Sequence, residues 1–207
     1  MLDRLEKKYG TNEPIFTKEI MEIMNDYSKS RIFQILKKLE EEKSIINYDT
    51  GIYYIPQKTR FGLSCISTEQ VVQKKYISNN DEVFGIYSGL SLKLNFLMTY
   101  QVPSTIEIVT NNETMIVREC MINGRRIILR KSRTLINRDN VSAYTILELF
   151  SDMDIEKYLE NHSAQREVKE YIKENKVKMK DIVDLINNFP SKTIKNIIRG
   201  GLMNDFA

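Results

Sequence analysis

Between Tyr27 and Pro56 the chain reads YSKSRIFQILKKLEEEKSIINYDTGIYYIP, a helix followed at once by a two-stranded ribbon. Ser28 or Ser30 is placed to cap the helix, since a serine oxygen accepts a bond from an otherwise unpaired amide of the first turn. Ile32, Ile35, Leu36 and Leu39 recur at helical spacing and mark one stripe for burial. At about 100° per residue, the opposite face carries Ser30, Gln34 and Lys37, flanked by Arg31 and Lys38. The run Glu40-Glu41-Glu42-Lys43 ends the helix. Ile45 to Tyr48 and Ile52 to Ile55 then bracket Asp49-Thr50-Gly51, a short turn in which the glycine is free to take positive φ.

Amide, hydroxyl and basic groups on an outer helix face, followed by a short hairpin, make the layout of a winged helix-turn-helix. In such domains the second helix of the pair lies in the DNA major groove and the ribbon touches the backbone beside it. The same layout also occurs in small domains that bind only protein. Upstream, Met1 to Tyr9 reads as a short amphipathic helix. Thr17 is expected to cap a second one whose inner face is Ile20, Met21 and Met24. Residues 1–58 are therefore expected to form one unit, with Gln57 to Gly62 as the seam to residues 59–207.

With 207 residues and ordinary apolar content, two small packed domains are the natural division. No apolar run is long enough to span a membrane. The charged start MLDRLEKKYG does not read as a secretory signal. Cys65 and Cys120 are expected to be buried free thiols in a reducing cytoplasm.

The second part is read as mixed α/β over residues 59–150 and helical over 151–207, so the expected fold class is α+β. Ser67 to Lys75 is a helix, Glu82 to Tyr87 a strand, and Ser88 to Met98 a helix buried over much of its surface. TIEIVT, from Thr105 to Thr110, is a β-branched strand. Asn123-Gly124 between Met115–Ile122 and Arg125–Arg130 predicts a tight hairpin, because both turn centres need positive φ. Ile127 and Leu129 fall on one of its faces; Arg126, Ile128 and Arg130 fall on the other. Helices are expected over Val141–Phe150, Ile155–Ser163, Gln165–Asn175, Met179–Phe189 and Lys192–Met203.

The chemistry-bearing residues argue against an enzyme. His162 is the single histidine, on a charged helix, so histidine pairs and common zinc-hydrolase patterns are excluded. No Gly-rich phosphate loop is present. Asp152-Met153-Asp154 has the form of a metal-binding acid pair, but its setting after an apolar helix fits a helix cap better. No metal and no cofactor is expected. Between Arg118 and Arg138 stand seven positive side chains, Arg118, Arg125, Arg126, Arg130, Lys131, Arg133 and Arg138, against one acid, Glu119. Arginine forks suit phosphate or carboxylate. This basic hairpin is read as a contact for DNA backbone or for an acidic partner, beside the plainer reading of a solvated basic face.

Laid out in order, RIFQILKKLEEEKSIINYDTGIYYIPQKTRFG (Arg31 to Gly62), YSGLSLKLNFLMTYQVPSTIEIVT (Tyr87 to Thr110) and NGRRIILRKSR (Asn123 to Arg133) resemble the AbiEi-type antitoxins. This is the abortive-infection, or type IV, antitoxin family of bacteria and archaea, and the likeness runs from about Thr17 to Met203. It implies an N-terminal winged helix-turn-helix with an antitoxin domain behind it. It also implies repression of the chain's own operon at inverted repeats, and opposition to a co-encoded nucleotidyltransferase-type toxin. The family's reading helix falls on Ser28 to Leu39 and its wing on Tyr48 to Tyr54.

The expectation is thus a cytoplasmic antitoxin and transcriptional repressor without catalytic activity. Its DNA contacts would be Ser28, Lys29, Ser30, Arg31, Gln34, Lys37, Lys38, Thr50, Lys58 and Arg60. The alternative is a winged-helix regulator with no toxin partner; a nuclease or nucleotidyltransferase built on Asp152 and Asp154 comes third.

Overall fold

The computed structural model describes residues 1–206. The fold is mixed α+β, and it divides into two compact units, Met1–Lys74 and the chain from Lys75 on.

The first unit runs α1 (Leu2–Tyr9), β1 (Ile15–Phe16), α2 (Thr17–Ile23), α3 (Lys29–Glu41), β2 (Ile46–Asp49) and β3 (Ile52–Tyr54). A second hairpin, β4 (Lys58–Thr59) and β5 (Gly62–Leu63), leads to α4 (Thr68–Val72), which loosens into a π-helical turn over Gln73–Ile77. Strands β1, β3 and β2 form an antiparallel sheet in that order, with Ile15 opposite Tyr53 and Ile46 opposite Tyr54. Leu5, Ile20, Met24, Ile32 and Leu36 from the three helices meet Ile15, Ile45, Tyr53 and Ile55 in one core.

Two sequence expectations change here, and one strand was not expected. Strand β1 is too short for its alternation to be read. The cap of α2 is Phe16 rather than Thr17: the Glu19 carboxylate accepts the Phe16 N–H at 2.7 Å, while the Thr17 hydroxyl donates to the Gly51 carbonyl. Finally, the division falls at Lys74/Lys75, later than the seam at 58/59. The Gln57 N–H donates to the Ser64 hydroxyl at 2.8 Å, and the Tyr54 hydroxyl donates to the Ser64 carbonyl at 3.2 Å. Lys74 then donates to the Pro14 carbonyl at 2.6 Å, pairs with Glu19 at 3.0 Å and lies 4.4 Å from the Tyr9 ring centre. These bonds hold residues 59–74 to the first unit.

The second unit is a four-stranded sheet with helices. It runs β6 (Gly85–Tyr87), α5 (Gly89–Asn95), β7 (Thr105–Thr110), β8 (Val117–Ile122) and β9 (Arg125–Lys131). Then follow α6 (Val141–Ser151), α7 (Ile155–Glu160), α8 (His162–Glu174), α9 (Met179–Ile186) and α10 (Ser191–Arg199), with a 3₁₀ turn at Leu202–Asn204. The strand order is β6-β7-β9-β8, with β7 and β9 parallel and the other pairs antiparallel. Asn123 (φ 45) and Gly124 (φ 76) form the two-residue turn between β8 and β9, as the dipeptide predicts. Ile127 and Leu129 are fully buried, while Arg126, Ile128 and Arg130 are not.

Helix α6 is the centre of the core. Tyr144, Ile146, Leu147 and Phe150 are buried, with Tyr144 edge-on to Phe189 and Phe150 edge-on to Tyr158. Helix α5 stops at Asn95, short of Met98, and leaves Leu90 and Leu97 exposed. The expected helix break near Ser163 lies earlier, because the Asn161 side chain accepts the Ala164 N–H at 3.0 Å and caps α8. No helix of the described residues is long and apolar enough to cross a membrane.

Candidate nucleic-acid interface

Helix α3 begins where the Ser28 hydroxyl accepts the Arg31 N–H at 3.3 Å, so Ser28 and not Ser30 is the cap. Ile32 and Leu36 are buried and Ile35 and Leu39 half-buried, which fixes the roll of the helix. Lys29, Ser30, Arg31, Gln34, Lys37 and Lys38 are consequently all exposed. Arg31 donates to the Gln34 side-chain carbonyl at 3.3 Å, one turn on, and the two side chains stand together. Lys38 lies 3.8 Å from Glu42, so part of the acidic helix end is drawn back onto a helix cation. Among the described residues Lys29, Arg31 and Lys37 have no carboxylate partner. Phe33, which the polar pattern hides, is also exposed beside Lys37. Its position off the Ile32–Leu36 stripe is the signal that could have found it.

The ribbon β2–β3 follows directly, with Thr50 exposed at its tip and the Thr50 N–H donating to Asp49 at 2.6 Å. The second hairpin presents Lys58 and Arg60, both exposed and without an ion-pair partner among the described residues, beside a fully exposed Phe61. Its tip is stiffened by Thr59, whose hydroxyl donates to the Gly62 carbonyl at 2.9 Å and accepts the Phe61 N–H at 3.2 Å. Lys58 and Arg60 thus stand on a built hairpin, not on a linker. Phe61 had no sequence signal beyond its place between Arg60 and Gly62.

In the second unit, the basic hairpin is far less cationic than its local sequence. Arg118 donates from Nε to Glu113 at 2.6 Å, and Arg126 pairs with Glu119. Arg130 donates to Glu107 at 3.2 Å, and Arg133 lies 3.9 Å from Glu148. Arg125 and Arg138 donate to the carbonyls of Pro103 and Asn80. Lys131 is exposed and has no ion-pair partner among the described residues. The expected local excess of positive charge is corrected by acids distant in sequence: Glu107 comes from the adjacent strand and Glu148 from α6. Glu113 is 5 % exposed; burial pushes its carboxyl up, but the Arg118 guanidinium and the Met115 and Thr114 N–H groups outweigh that and hold it low.

The remaining chemical groups are dispersed. Among the described residues no three His, Cys, Asp or Glu side chains are grouped to hold a metal. Asp152 pairs with Lys93 at 3.0 Å, and Asp154 precedes α7 without capping it through its side chain. His162 is exposed at the start of α8. Cys65 is exposed and Cys120 half-buried, which corrects the expectation that both thiols are buried. Cys65 lies in the irregular segment after β5, and Cys120 lies on β8, an edge strand with one open side. No protein-family model matches the chain, and no curated protein is significantly similar to it.

Proposed function

We propose that the chain is a DNA-binding repressor of its own operon and the antitoxin of a type IV toxin–antitoxin pair, without catalytic activity. One observation carries the DNA-binding half: six polar residues on α3, from Lys29 to Lys38, are exposed while Ile32 and Leu36 anchor the helix. The order helix, strand, helix, helix, strand, strand in the first unit is the order of a winged helix-turn-helix, which supports the same reading. In it, Ser30, Arg31, Gln34 and Lys37 meet base edges and nearby phosphates in the major groove. Arg31 suits guanine and Gln34 adenine, each through two hydrogen bonds. Ser28, Lys29, Lys38, Thr50, Lys58 and Arg60 hold the backbone on either side. Since phosphate neutralisation supplies most of the affinity of such modules, the second hairpin adds cations that the near-neutral three-helix unit lacks.

The antitoxin half, with a nucleotidyltransferase-type toxin as the opposed partner, rests on the resemblance to the AbiEi-type family. In this reading the protein is cytoplasmic, and its operator is double-stranded DNA with inverted repeats. The test has two parts. The purified chain is titrated against the DNA upstream of its own reading frame and against a shuffled duplex, over a series of salt concentrations. It is also co-expressed with the product of the adjacent reading frame. Preference for the upstream duplex and rescue of growth are expected. Equal binding to both duplexes ends the repressor reading, and absence of rescue ends the antitoxin reading.

A further inference from the structure

Strand β8 is the last in the order β6-β7-β9-β8 and closes one side of the second unit's sheet. Its pairing with β9 fixes which of its backbone groups are used. The Lys131 N–H donates to the Ile116 carbonyl, and Ile122 faces Arg125 across the two-residue turn. In an antiparallel ladder such bonded pairs alternate with unbonded ones, so Arg118, Cys120 and Ile122 point their N–H and C=O groups at β9. Val117, Glu119 and Met121 point theirs the other way, where no strand of the described residues lies. The same three side chains are exposed, and Met115 and Ile116 before them are 58 % and 85 % exposed.

A free strand edge is a template for another strand, and proteins ordinarily blunt it with proline, a bulge or a free charge. Strand β8 has none of these. Its register with β9 is unbroken from Val117 to Ile122, and it holds no proline. Its two charges are both met within the chain, Arg118 by Glu113 at 2.6 Å and Glu119 by Arg126. The edge is built to accept a strand, not to repel one.

The strand that fits is its own copy. A twofold axis sets β8 antiparallel to β8 of a second chain, and every contact then occurs twice. Outward groups must meet outward groups, so odd-numbered residues face odd-numbered ones and one residue lies opposite itself. With Arg118 or Glu119 on the axis, two guanidiniums or two carboxylates stand directly opposite each other, which disfavours the pairing. With Val117 or Met121 on the axis, half of β8 runs past the end of its copy. With Cys120 on the axis, Glu119 faces Met121, Arg118 faces Ile122, and no like charges meet. We propose that the chain forms a twofold dimer through β8, centred on Cys120, which joins two copies of the sheet into one. Cys120 then faces its copy in an unbonded pair, with Cα atoms about 4.5 Å apart, within the span of a disulfide. This inference uses only the second unit and is independent of the DNA-binding reading.

The test is sedimentation of the full chain under reducing conditions, from micromolar to near-millimolar concentration, with cross-linking beside it. A monomer–dimer equilibrium is expected. Diamide, a mild thiol oxidant, should give a reducible covalent dimer with Cys65→Ser and none with Cys120→Ser. Met121→Glu sets a carboxylate against the partner's Glu119 at both ends of the pairing and should weaken the dimer about tenfold. Met121→Lys sets an ammonium there and should leave the dimer within about threefold of the parent. Met121 is exposed, so both variants should melt near the parent's temperature. A chain that stays monomeric at every concentration overturns the proposal. So does a dimer that Met121→Glu leaves unchanged, one that Met121→Lys weakens equally, or one in which Cys120 does not cross-link.

Discussion

The Thr17 hydroxyl donates to the Gly51 carbonyl at 3.2 Å, and the Thr17 N–H reaches the same oxygen at 3.0 Å. The first residue of α2 is thereby tied to the turn of the β2–β3 ribbon, and an ideal Cβ on Gly51 would lie 3.1 Å from that hydroxyl. Thr17→Ala removes one part-buried hydrogen bond and is expected to cost about 1 kcal/mol in a denaturant titration. Gly51→Ala should cost more, because it forces an L side chain to φ +73 against Thr17.

Leu36 and Ile32 set the roll of α3 by being buried in the core of the first unit. Leu36→Ala is expected to destabilise that unit by roughly 2–5 kcal/mol through the lost burial and the cavity left behind. Phe33→Ala, on the exposed side, should leave stability within about 0.5 kcal/mol of the parent. Equilibrium unfolding of the two variants separates them.

Lys58 and Arg60 are expected to contact phosphate rather than bases. Replacing either by alanine should weaken binding to upstream and shuffled duplexes alike and reduce the slope of log affinity on log salt by about 1. Loss of sequence preference in either variant would place it at a base edge instead.

Glu113 and Glu148 should respond to acid in opposite senses. The Glu113 carboxyl is held below the ordinary range, so its contribution is complete above the unfolded value near about 4.3 and is lost as the pH falls through its lower folded value. Glu113→Gln is therefore expected to lose stability at neutral pH and to flatten the acid limb of the stability profile. Burial pushes Glu148 up, more than Arg133 and Arg130 draw it down. Its charged form opposes folding, and that penalty disappears as the pH falls through the raised folded value. Glu148→Gln should hold or gain stability at neutral pH. Unfolding midpoints of both variants against pH check the two signs.

The parts of this fold that the sequence reveals are those in which one face is buried and the other is not. Helix α3 and the ribbon after it could be read from Ile32, Leu36 and the Asp49–Gly51 turn, and the β8–β9 hairpin from Asn123-Gly124, whose two positive φ values few other residues take. Two features could not be read. Strand β1 and the β4–β5 hairpin have strands of two residues each, too short to show a period. The basic hairpin misled because charge was counted along the chain. Its partners Glu107 and Glu148 are brought in by the parallel pairing of β7 with β9 and by the packing of α6, neither of which local spacing encodes. The exposed polar residues of α3 were legible as a set, since burial of one helical stripe determines what the opposite one exposes.

The central claim is that the outer face of α3 reads DNA sequence, and the most direct measurement is the affinity ratio for upstream over shuffled duplex at fixed salt. In Arg31→Ala combined with Gln34→Ala, the ratio should fall to about one, since each lost bidentate base contact removes roughly 1–3 kcal/mol of discrimination. The unfolding midpoint should be unchanged, because both side chains are exposed. A double variant that melts normally and keeps the parent's full preference would contradict the claim.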